Sequence, residues 1–168
     1  TDMVHSGTYS ARLASNKAMG VLAAGNIFVG HYVRTDGTNG VLSLGREYNG
    51  SHPSKVRVYA NYRPGTVDVF KDGYGLTNGG LDHGQVYVAL TDEPIEIRTN
   101  PNDRKLFDPD DTHVLAYGQV TWTENYGPDG QLQLLEIPLN YFERAKTTRA
   151  THLVIVASAS KFGDYFTG

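Results

Sequence analysis

The chain has 168 residues and a mass of 18.4 kDa, enough for one domain that buries roughly 68–70% of its unfolded surface and too short for two. Hydrophobic residues supply 39% and charged residues 20%, with 19 Gly and 7 Pro, which excludes a disordered tail and a repetitive fibre and marks an ordered, turn-rich protein. The formal net charge of -3, from 15 basic and 18 acidic residues, leaves no surplus of cations for phosphates and argues against nucleic acid as a partner.

No apolar stretch approaches the roughly 18 residues of a membrane-spanning helix, and nothing at the N-terminus reads as a signal peptide. The opening Thr1-Asp2-Met3-Val4-His5 lacks an initiator Met, so residues 1–168 are expected to be one domain taken from a longer chain. The absence of Cys excludes disulfides, thiolate nucleophiles and Cys-ligated zinc.

In chain order, short runs rich in Val, Ile, Tyr and Thr predict strands at Tyr9 to Ala14, Asn26 to Val33, Val41 to Leu44, Lys55 to Tyr62 and Thr66 to Phe70. They continue at Gln85 to Leu90, Ile95 to Arg98, His113 to Trp122, Gln131 to Pro138 and His152 to Ala157. Turn signals separate them at Asp36-Gly37, Asn39-Gly40, Asn49-Gly50, Pro64-Gly65, Asp72-Gly73, Asn78-Gly79 and Asp129-Gly130. Only Asn140 to Thr147 reads as helical. The polar segment from Thr99 to Thr112, with two prolines, is expected to be a long surface connection. About ten strands without alternating helices predict an antiparallel, all-β sandwich resembling a jelly roll.

Alternation within the strands nominates a binding surface. In Lys55 to Tyr62, Val56, Val58, Ala60 and Tyr62 share the core face, which leaves Arg57, Tyr59 and Asn61 on the other. In Gln85 to Leu90 the same parity points Val86, Val88 and Leu90 inward and Gln85 and Tyr87 outward. Tyrosines flanked by amides and a guanidinium match a sugar, which offers an apolar C–H face and a rim of hydroxyls. One such contact, about 50 Å² at ~25 cal/mol per Å², contributes only about 1 kcal/mol, so several are needed. Tyr117, Gln119 and Trp122 on the later long strand complete the expected platform. Trp122 also precedes the loop Glu124 to Pro128, a candidate ligand holder, although sheet and core packing is an equal role for any of these rings.

Enzyme motifs are sparse. No G-x-S-x-G, phosphate-binding glycine loop or HExxH occurs. The six His never lie within twenty residues of one another, so the sequence nominates no metal site. A glycosidase needs two carboxyl groups about 5–5.5 Å or 6.5–9.5 Å apart. Asp82, Glu124 and Glu136 are the candidates by position, with surface solvation as the plain alternative for each.

Several blocks resemble a known family. They are Val4-His5-Ser6-Gly7-Thr8-Tyr9-Ser10-Ala11-Arg12-Leu13, Ala24-Gly25-Asn26-Ile27-Phe28-Val29-Gly30 and Val58-Tyr59-Ala60-Asn61-Tyr62-Arg63-Pro64-Gly65. Asp82 with Gln85 to Leu90, Ile137 to Tyr141, and the closing Ala157 to Gly168 follow, the last being the most specific. Together they resemble the putative carbohydrate metabolism domain of surface and secreted proteins of polysaccharide-degrading bacteria. The resemblance implies a jelly-roll-like sandwich, export to the periplasm or cell surface, and other domains of a parent protein as partners. It carries no catalytic residues. Similar jelly rolls hold a structural Ca²⁺ with an aspartate of a last strand that has no counterpart before Gly168, so no cofactor is expected.

Three functions follow: a non-catalytic carbohydrate-binding module with a glycan as ligand, a glycoside hydrolase or other sugar-active enzyme, and a structural domain that seats a partner domain. Solvent-facing aromatics in a row point to the first, and two carboxylates across a cleft to the second.

Overall fold

A computed structural model describes residues 3–18, 21–37, 39–68 and 75–163. The expected turn at Asp72-Gly73, the end of the Thr66 to Phe70 run and the end of the closing block lie outside these residues. The described chain is all-β. Its strands are β1 (Asn16–Ala18), β2 (Val21–Ala23), β3 (Asn26–Phe28), β4 (Gly30–Asp36), β5 (Asn39–Leu44), β6 (Arg46–Glu47) and β7 (Lys55–Ala60). They continue with β8 (Gly84–Thr91), β9 (Ile95–Arg98), β10 (Val114–Trp122), β11 (Gln133–Pro138), β12 (Asn140–Tyr141) and β13 (His152–Ser158).

The main sheet runs β12-β10-β8-β13-β3, with β6 pairing the opposite end of β13. A three-stranded sheet β4-β5-β9 and a two-stranded sheet β11-β7 complete the body, and β1-β2 form a separate ribbon. All pairings are antiparallel.

The main sheet is covered on both faces. On one, Tyr87, Ala89, Val114 and Val154 pack against Leu44, Ile95 and Ile97 of the three-stranded sheet. On the other, Val86, Val88, Leu90 and Ala116 pack against Leu135 and Ile137 of β11, with Val56 and Val58 of β7 beside them. β8 is therefore buried along nearly its whole length, and its sequence Gln85-Val-Tyr-Val-Ala-Leu90 is almost continuously apolar, as a doubly covered strand requires.

Two glycines sit where the chain approaches a second sheet. The run Asn26 to Val33, expected as one strand, is broken at Val29-Gly30. Val29 donates its N–H to Ile155 O of the main sheet (2.9 Å) and accepts at its carbonyl from Gly45 N (2.8 Å), so one residue belongs to both sheets. A Cβ on Gly30 (φ 153°) would lie 2.1 Å from Ser43 O. A Cβ on Gly118 would lie 2.1 Å from Pro138 O, where β11 hands the chain over to β12.

β10 carries a bulge between Val114 and Ala116. The extra residue, Leu115, shifts the parity, so that Val114 and Tyr117 point to the same side of the sheet. Arg144 closes the bulge: its guanidinium donates to Val114 O (2.5 Å) and Asp111 O (2.8 Å) and lies over the Phe142 ring.

Several local expectations are corrected. Tyr9 to Ala14 forms no strand. Asn140 to Thr147 is divided between β12 and a 3₁₀ turn, Glu143–Lys146. At Thr66 the chain makes a single bridge, to Leu81. The segment 99–112 is more than a surface connection. It folds back through a 3₁₀ turn (Pro101–Asp103), capped by Asn100 Oδ1 accepting from Asn102 N (3.0 Å). It then delivers Leu106 and Phe107 onto the core.

Gly118→Ala is expected to lower stability by about 1–3 kcal/mol, because the methyl group has no room beside a backbone carbonyl; a lower urea midpoint at unchanged slope is the readout. At the end of β8, Asp92 Oδ1 lies 2.9 Å from His113 Nδ1, and Glu93 lies 3.4 Å from Nε2. The Asp92 hydrogen bond first, then the surrounding carboxylates, raise the His113 pKa above its ordinary 6.5. The resulting stabilisation is full below about pH 6.5 and is lost as pH rises through the folded-state midpoint. Asp92→Asn is expected to flatten that part of the pH–stability curve, measured by chemical denaturation at several pH values.

Candidate functional site

Strand pairing aligns side chains in rows across the main sheet. Ser158 faces Asn26 on one side and Gln85 on the other; one step along, Val156 faces Phe28 and Tyr87, and Tyr87 faces Gln119. These rows form the floor of a cavity of about 370 Å³ between the main and three-stranded sheets, within the roughly 300–1,000 Å³ common for small-ligand sites. Leu42, Leu44, Ile97 and Thr99 form the opposite wall, and Leu106, Phe107 and Pro109 close one side. Ser160, Lys161 and Phe162, from the turn after β13, also line it.

The cavity has two ends of different chemistry. Phe28, Leu42, Leu44, Val156 and Leu106 make one part apolar, whereas Asn26, Gln85, Ser158, Ser160 and Lys161 gather polar groups at the other. Asn26 and Gln119 are exposed and mark its solvent side. Between the ends, Phe107 stacks on Tyr87 (centroids 4.8 Å apart) and on Tyr117 (5.9 Å). Tyr117 donates its hydroxyl hydrogen to Gln119 Oε1 (2.9 Å). Burial pushes the Tyr117 pKa up to about 12, so the phenol is a neutral donor at any physiological pH.

The structure thus brings together Gln85, Tyr87, Tyr117 and Gln119, but it separates them from Arg57, Tyr59 and Asn61. The single platform expected from alternation does not exist. Parity within each strand is as expected, yet β7 lies on top of β8 instead of beside it. Their apolar faces meet, so their other faces point to opposite sides of the molecule. Tyr87 is also no open platform, being 9% exposed beneath Phe107.

Arg57 and Tyr59 of β7, and Asn61 just past its end, have structural partners. Arg57 Nε and Lys55 Nζ each donate to Glu136 at 2.7 Å. Tyr59 stacks under His5 with centroids 3.4 Å apart. Asn61 Nδ2 donates to Pro128 O and Gln131 O, both at 2.7 Å, and ties down the loop after β10. Trp122 points to the other face of β10, packed between Tyr62 and Tyr126. It belongs to the core there, not to the cavity.

The carboxylates nominated for catalysis are dispersed. Glu136 lies on the outside of β11, where its hydrogen bonds to Lys55 and then Arg57 hold its pKa below the ordinary value; a general acid needs the reverse. Glu124 is exposed in the turn after β10. Asp82 accepts from His83 N through Oδ1 (2.7 Å). None of the three is among the described residues that line the cavity.

Sequence reasoning did not find Asn26, Phe28, Phe107, Ser158, Ser160 or Lys161 as lining residues. Two signals were present: Leu106-Phe107 is the one apolar pair inside an otherwise polar segment, and residues 158–162 belong to the most specific block of the resemblance.

The fold and its cavity define an antiparallel β-sandwich with a partly polar pocket between two of its sheets. The chain belongs to the putative carbohydrate metabolism domain family, whose model matches residues 3–168, and is a carbohydrate-related domain. Among solved structures it is similar to a putative glycoside hydrolase from Bacteroides thetaiotaomicron VPI-5482, at 17% identity and a TM-score of 0.53, over 88% of this chain and 43% of that chain. That likeness concerns the fold, and the chain spans less than half the length of that protein. No curated protein matches the sequence.

Glu136 is expected to titrate below the ordinary 4.5 in a carboxyl-resolved NMR titration. Because its folded pKa is depressed, its stabilising contribution is present above the unfolded value and is lost as pH falls through the folded one. Replacing both Lys55 and Arg57 by Ala is expected to return the midpoint to the ordinary range.

Proposed function

We propose that this domain is a non-catalytic carbohydrate-binding module of an exported bacterial glycan-utilisation protein, with its glycan held in the cavity between the main and three-stranded sheets. The observation that carries this reading is the convergence of Gln85, Tyr117, Gln119, Asn26 and Ser158 on one cavity floored by aromatic rings. Amides and hydroxyls match sugar hydroxyls in both donor and acceptor roles, and the rings match the C–H face. The family description and the name of the similar structure both concern carbohydrate, which supports the same ligand class. A hydrolase reading rests on that name, whereas the described lining supplies amides and hydroxyls where acid–base hydrolysis needs two carboxyl groups. Export and attachment to other domains are proposed from the resemblance of the sequence blocks.

Affinity is expected in the micromolar to millimolar range, since each sugar contact contributes only about 1 kcal/mol. A glycan array on the domain identifies ligands. Calorimetry with a positive glycan is then expected to show affinity lowered about tenfold (~1.4 kcal/mol) by Gln85→Ala and by Tyr117→Ala, with Tyr59→Ala unchanged. Loss of binding in Tyr59→Ala alone, or no glycan bound at all, would refute the cavity as the site.

A further inference from the structure

We propose, building on the glycan reading, that the cavity selects an acidic sugar, with the carboxylate of a uronic acid received at the polar end by Lys161 and Ser160. Two independent features converge there. The first is a buried hydroxyl: Ser160 is 2% exposed, lines the cavity, and its Oγ has no hydrogen-bond partner among the described residues. A buried polar group without a partner carries its whole desolvation penalty, which a ligand oxygen removes once a χ1 rotation turns the hydroxyl into the cavity.

The second is charge. Among the described lining residues, Lys161 bears the only formal charge. Its ammonium lies 5.4 Å from the Phe162 ring and makes no ion pair among the described residues. The chain as a whole is acidic, at -3, so attraction of an anion here is a local property of the cavity.

The turn that presents these groups is held in place. Ser158 Oγ donates to Ser160 O (2.8 Å), Ser160 N donates to Ser158 Oγ (3.3 Å), and Lys161 N donates to His83 O (2.6 Å). Ser158 pairs with Asn26 and Gln85 across the sheet, so the anion position adjoins the amides assigned to sugar hydroxyls. One ammonium and one hydroxyl match one planar carboxylate, with the hydroxyl donating and the ammonium supplying the opposite charge. The rings and aliphatic side chains beyond take the sugar's C–H face.

The test uses calorimetry on the whole domain with matched probes: oligogalacturonides, glucuronate-bearing xylo-oligosaccharides, the carboxyl-reduced form of each, and sulfated galacto-oligosaccharides. A uronate is expected to bind at least about tenfold more tightly than its carboxyl-reduced counterpart. Lys161→Met is expected to abolish that preference while leaving the affinity for the reduced form in place. Ser160→Ala is expected to weaken uronate binding several-fold with an unchanged circular dichroism spectrum. Should Ser160→Ala fail to fold, Lys161→Met, at a partly exposed position, decides alone. Equal binding of acidic and reduced glycans that Gln85→Ala still weakens would overturn the acidic preference and keep the glycan reading. Binding restricted to the sulfated probes would overturn the uronate assignment. Absence of binding to every glycan would overturn both.

Discussion

Strand β8 is buried on both faces from Val86 to Thr91, and the rest of the molecule is arranged around that condition. A strand can be covered twice only if other sheets lie above and below it, and here β7 with β11 and β4 with β5 and β9 do so. The hydrophobic contribution of Val86, Val88 and Leu90 on one side and Tyr87 and Ala89 on the other depends on both covers being present. The cavity lies between the second cover and the main sheet and reaches the Ser158–Gln85 end, where polar side chains replace apolar ones.

Three local devices direct side chains into that space. The bulge at Leu115 turns Tyr117 and Gln119 toward the cavity, and Arg144 satisfies the carbonyl that the bulge leaves outside the ladder. The transfer of the chain from the main sheet to the three-stranded sheet at Val29-Gly30 places Phe28 and Asn26 on the floor while β5 supplies Leu42 and Leu44 opposite. The 99–112 segment, pinned by backbone bonds between Arg98 and Lys105, brings Phe107 over Tyr87. Each device is a departure from regular strand geometry, and together they shape one cavity.

The outside of β7 shows why composition alone misdirects a search for binding residues. A guanidinium, a tyrosine and an amide on alternate positions are equally the components of a strand-fastening surface. Arg57 bridges to Glu136 on the neighbouring strand, Tyr59 seats the N-terminal His5, and Asn61 holds the 126–131 loop through two carbonyls. Arg57 and Asn61 make their hydrogen bonds and Tyr59 its ring stacking on strands and loops away from the cavity, and none of the three lines it, although the residue types are similar.

Much of the fold was legible in the chain. Alternating and continuous apolar runs located β5, β7 through β11 and β13 to within a few residues, and the lack of helical periodicity made the class all-β, because side-chain parity and turn chemistry are local properties. The same runs grouped Gln85, Tyr87, Tyr117 and Gln119, which the structure has on one side of the main sheet, but took that side as open to solvent and added Trp122, which lies on the other. Tertiary structure alone decided which strand lies beside another and which lies over it, and therefore that Arg57, Tyr59 and Asn61 look away from those four. Pairing of distant strands depends on which apolar faces complete each other's burial, a long-range choice that no window of neighbouring residues encodes.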